Sequence, residues 1–102
     1  MAPRVDLALC LAVDVSASVD FDEFGLMIGG YATAFRDPEL AAALAAGPRG
    51  ACLLAALFWS GTARAPEVAV PWTRLDGAEA AGRFADALEA APRMPQPGAT
   101  AL

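Results

Sequence analysis

Two apolar runs without helical spacing predict the central strands of this chain. The first extends from Val5 to Val13 and is interrupted only by Asp6, and the second extends from Gly50 to Trp59. Near-continuous apolar sequence is typical of strands buried on both faces, as in a parallel sheet covered by helices. A third strand is predicted over Glu67 to Trp72, and Pro71 within it indicates a sheet edge.

Helical patterns follow the first and third strands. Asp20 and Glu23 have the spacing of a capping box at the start of the first helix. Its predicted apolar face contains Phe21, Phe24, Ile28, Tyr31 and Phe35. A short helix is predicted over Glu39 to Ala46, and Asp76 with Glu79 marks the start of the last helix. The predicted buried face of that helix contains Ala80, Ala81, Phe84, Ala85 and Leu88.

The order of these elements, β-α-(α)-β-β-α, predicts an α/β fold. A βαβ unit has a right-handed crossover, so we expect the first two strands to be parallel. The turn-rich link from Ser60 to Pro66 favours a hairpin. The third strand is therefore expected to run antiparallel to the second, at the edge of the sheet.

Composition limits the chain to one domain or part of one. Of its 102 residues, 57% are hydrophobic, which is enough for a modest core. No apolar run approaches the roughly 20 residues that a membrane span requires, and no signal peptide is visible at the start. The net charge is −5 and the seven basic residues, all arginine, form no cluster, so nucleic acid is not expected as a partner.

The residue types that are absent narrow the chemistry further. The chain contains no His, Lys or Asn. This excludes a Ser-His or Cys-His nucleophile pair, the P-loop lysine and Schiff-base chemistry. What remains for chemistry is carboxylates, hydroxyls and a bound metal ion.

Both cysteines, Cys10 and Cys52, lie inside apolar runs. Without histidine, two cysteines cannot form a structural zinc site. We expect two buried free thiols that pack as small hydrophobes. A disulfide is the alternative, if their strands are neighbours and the compartment is oxidising.

Three oxygen-bearing side chains stand at alternate positions where the first strand ends, namely Asp14, Ser16 and Ser18. In open α/β sheets ligands bind at the carboxyl ends of strands, and Mg²⁺ takes oxygen ligands with only one or two carboxylates from the protein. The alternative is that these residues only turn the chain and cap the next helix. The last helix, at about 16 residues and 1.5 Å rise per residue, covers roughly 24 Å. That length would return the chain to this edge and bring Thr100 beside the serines.

The pattern Asp14-Val15-Ser16-Ala17-Ser18 resembles the first segment of the metal-ion-dependent adhesion site of von Willebrand factor A (vWA) domains. The strand before it, the helix after it, the hairpin and Gly98-Ala99-Thr100 follow in the order of that family. The stretches 31–39 and 58–61 are similar to an uncharacterised bacterial branch of vWA-like domains. The resemblance implies a Rossmann-like three-layer sandwich with Asp14, Ser16, Ser18 and Thr100 as metal ligands.

The resemblance also implies a function. A vWA-like module binds Mg²⁺, or alternatively Mn²⁺ or Ca²⁺, and recruits an acidic side chain of a protein partner without catalysing a reaction. The rival is a phosphoryl-transfer enzyme of a related doubly wound fold, with Asp14 as the acceptor. Such enzymes usually need a second acidic residue beside the acceptor and a lysine, neither of which this pattern supplies. An inactive fragment is the third alternative.

The family's domain continues beyond the threonine, so residues 1–102 are expected to be the N-terminal part of a single vWA-like domain. A later loop that supplies a further aspartate would then be missing. The first strand would be an unpaired apolar edge, which favours self-association. The resemblance implies a periplasmic or secreted protein, although no signal peptide is visible.

Overall fold

A computed structural model of the chain describes residues 4–15, 20–59 and 66–91. In chain order its elements are β1 (Leu7–Asp14), α1 (Phe21–Arg36), α2 (Pro38–Leu44), β2 (Cys52–Trp59), β3 (Glu67–Leu75) and α3 (Ala78–Ala90). The mixed α/β architecture and the predicted order of strands and helices are confirmed. Within these residues no helix is both long and apolar enough to span a membrane.

The three strands form one sheet in the order β1-β2-β3. β1 and β2 are parallel and stay in register from the pair Leu7 and Cys52 to the pair Asp14 and Trp59. β3 is antiparallel to β2, with register shifts between Leu54 and Leu57. Both orientations agree with the prediction. Pro71 lies within β3, where an edge strand tolerates the missing N–H.

The helices form a single layer against one face of the sheet. α1 and α3 pack side by side, and the rings of Phe35 and Phe84 meet edge to face with centroids 4.9 Å apart. α2 approaches the start of β2, where Cys52 Sγ donates to the Leu44 carbonyl at 3.3 Å. The sheet contributes alternate residues to the core beneath this layer, including Val13, Cys52, Leu54, Ala56, Phe58, Val70 and Leu75. All five residues predicted for the buried face of α3 are buried.

The two predicted capping boxes have different outcomes. Asp20 caps α1: its Oδ1 accepts from the Glu23 N–H at 2.7 Å, and its own N–H donates to the Glu23 carboxylate at 3.1 Å. The prediction for α3 is wrong. The N-cap of α3 is Gly77, without a side-chain hydrogen bond, and Asp76 instead accepts from the Arg74 guanidinium at 2.8 Å.

The apolar face of α1 is shorter than its spacing indicates. Phe24, Ile28 and Phe35 are buried, but Phe21 is 76% exposed, so its predicted burial is wrong. Phe24 packs edge to face on Phe58, near the end of β2, with centroids 5.3 Å apart. Phe21 precedes this contact by one turn and therefore extends beyond the core.

The prediction that β1 is buried on both faces is wrong. Residues Leu7 to Cys10 are exposed, and Val13 is the buried residue of the strand. β1 is at an edge of the sheet, and in the described residues no element covers the face opposite the helices. For the same reason Cys10 is exposed, contrary to prediction, whereas Cys52 is buried; both thiols are free.

Candidate functional site

Asp14 is the last residue of β1 and lies at the carboxyl end of the parallel strand pair. It is partly buried and pairs in register with Trp59, the last residue of β2. The pairing continues one residue further, since the Val15 N–H donates to the Trp59 carbonyl at 2.8 Å. The ends of β1 and β2 therefore form one edge, the position at which open α/β sheets bind ligands.

The backbone beneath this edge is anchored in the core. Val15 is buried, and the contact between Phe24 and Phe58 joins the first turns of α1 to the end of β2. The chain thus leaves the sheet at Val15 and re-enters described structure at Asp20, the N-cap of α1.

The acidic residues at the start of α1 have structural roles. Asp20 and Glu23 are engaged with each other's backbone in the capping box, and Asp22 lies in the first turn. In the part of the chain that is described, no three His, Cys, Asp or Glu side chains come together in a metal-binding group. Of the predicted ligands, Asp14 is the one whose position is described.

The other three predicted ligands, Ser16, Ser18 and Thr100, lie outside the described residues. The same holds for Gly98-Ala99 and for the link 60–65 between β2 and β3. α3 ends at Ala90, and Ala91 is the last described residue after it. The return of Thr100 to the edge that carries Asp14 therefore stays a prediction.

A titratable group with a clear shift lies elsewhere, between the helices. The pKa of Arg36 is raised above its ordinary value because its guanidinium donates to the carboxylates of Glu89 and Asp86. The nitrogen–oxygen distances are 2.5 Å to Glu89 and 2.7 Å to Asp86. These exposed ion pairs connect the last turn of α1 to α3. They do not include a residue of the candidate site.

The open face of the sheet carries a feature that the sequence reasoning did not locate. A groove of about 230 Å³ crosses this face. It is lined by Cys10, Ala55, Leu57, Val68, Pro71 and Trp72. Because side chains alternate along a strand, Asp14 is on the same face as Cys10, at the end of β1. The candidate site therefore adjoins an apolar surface.

Both tryptophans belong to this exposed side of the sheet. Trp72 is 55% exposed on the edge strand β3, and Trp59 is exposed at the carboxyl end of β2. Trp72 thus lies on an edge strand, and Trp59 lies at the end of the central strand. The signal for the open face was available in the sequence. Strands that are apolar at nearly every position are typical of sheets covered by helices on both faces, yet the three helices in the described part of the chain all lie on one face.

Comparison with known proteins gives a family but no characterised relative. A search of curated proteins found no match, and a search of solved structures found none either. One family model, described as "Protein of unknown function (DUF1194)", matches residues 4–102. This agrees with the expectation of an uncharacterised family. Because the match covers nearly the whole chain, the protein belongs to the DUF1194 family.

Proposed function

We propose that this chain is a non-enzymatic, metal-ion-dependent protein-binding module of the vWA type. Asp14, Ser16, Ser18 and Thr100 would hold Mg²⁺, or Mn²⁺ or Ca²⁺ in its place. An acidic side chain of a protein partner would complete the coordination of the ion. When bound, the ion would supply the positive charge that attracts this side chain.

The observation that carries this proposal is the position of Asp14. Asp14 is the last residue of β1 and lies at the edge where the two parallel strands end. The backbone at this point is fixed by the hydrogen bond from the Val15 N–H to the Trp59 carbonyl. The sequence places two hydroxyls at the next alternate positions, Ser16 and Ser18. One carboxylate with neutral hydroxyls fits the preference of Mg²⁺ for oxygen ligands and few protein carboxylates.

The charge balance of the donor set supports a role in recruiting acidic groups. A single carboxylate leaves a divalent cation with net positive charge, and neutral hydroxyls do not reduce it. An incoming Asp or Glu side chain would then be attracted by that charge. The absence of His and Lys supports a binding role over phosphoryl transfer.

The test is a titration of Mg²⁺ and Mn²⁺ followed by thermal unfolding of the native chain and of Asp14→Asn. A ligand that binds only the folded state, at a hundredfold excess over its Kd, adds about 2.7 kcal/mol to the free energy of unfolding. We expect a metal-dependent rise in Tm for the native chain and none for Asp14→Asn. Identical curves for the two proteins would contradict the proposal.

Asp22→Asn is the matched control, since it removes the same charge from the exposed first turn of α1. It should retain the metal-dependent rise in Tm. Ser16→Ala, Ser18→Ala and Thr100→Ala should each weaken the metal dependence. Incubation with acetyl phosphate followed by mass measurement tests the enzymatic rival, because a phosphorylated Asp14 would replace the binding proposal with phosphoryl transfer.

A further inference from the structure

We draw no further inference here: the strongest candidate, the apolar groove on the open face of the sheet between Cys10, Leu57 and Trp72, carries none because nothing in the structure shows what covers it.

Discussion

β1 and β2 are two strands of the same length and similar apolar sequence in opposite environments. Each has eight residues, and they are paired to one another over their whole length. In β2 five residues are buried, whereas in β1 only Val13 is. Among the described residues, β2 has a neighbouring strand on either side, whereas β1 has one. Hydrophobicity determined that both segments are strands, but the position in the sheet determined which one is buried.

The largest expected effect comes from truncating one leucine in each strand. Leu54 in β2 is 1% exposed in the core, so Leu54→Ala should lower the free energy of unfolding by about 2–5 kcal/mol. Leu9→Ala in β1 removes a half-exposed side chain and should cost about 1 kcal/mol or less. Denaturant unfolding of the two variants measures both. Equal costs would mean that β1 is covered in solution.

A smaller effect concerns how the start of β1 is fixed beside β2. The Asp6 N–H donates to the Ala51 carbonyl at 2.8 Å, and the Asp6 carboxylate accepts from the Arg49 N–H at 2.9 Å. A Cβ on Gly47 would overlap the Asp6 carboxylate. Gly47→Ala must displace this side chain, and we expect a loss of about 1–3 kcal/mol.

Gly30→Ala is the control for that substitution. A Cβ on Gly30 meets no atom within 4 Å, so the change should stabilise α1 by up to about 1 kcal/mol. Opposite signs for the two glycine substitutions in chemical denaturation are the expected result. A neutral Gly47→Ala would show that the Asp6 contact does not hold the start of β1.

The smallest effect distinguishes the helix that follows β1 from the helix that follows β3. Asp20 caps α1 with a side-chain hydrogen bond, so Asp20→Ala should cost about 1 kcal/mol. Asp76 is next to α3 but forms an exposed pair with Arg74, and Asp76→Ala should change stability by less than about 1 kcal/mol. Thermal unfolding of the two variants compares them, and a larger loss for Asp76→Ala would contradict the assigned caps.

Local rules predicted those parts of the fold that local interactions decide. The Asp20 cap requires only Asp20 and Glu23, and the buried face of α3 follows from helical spacing alone. The start of α3 was not predictable in this way, because Asp76 has the correct spacing to Glu79 but a nearer partner in Arg74. The burial of Phe21 and β1 depends on where the helix layer ends, which no local pattern contains.

For the candidate site, too, the sequence predicted the local feature and not the long-range one. Asp14 ends a strand beside the end of β2, as the transition from apolar to polar residues predicts. The predicted proximity of Thr100 to Asp14 depends on the direction and length of α3 and on residues outside the described part of the chain. The open apolar face beside Asp14 follows from counting layers rather than from any motif.

The most direct test of the metal proposal is a titration of Mg²⁺ monitored by the backbone amide resonances of the native chain. We predict that the amides around Asp14 and Val15 and at the end of β2 shift with saturation, and that these shifts disappear in Asp14→Asn. Amides beside the exposed carboxylates of α3, Asp86 and Glu89, should not respond. The absence of saturable shifts near Asp14, or shifts that persist in Asp14→Asn, would contradict a metal site at the end of β1.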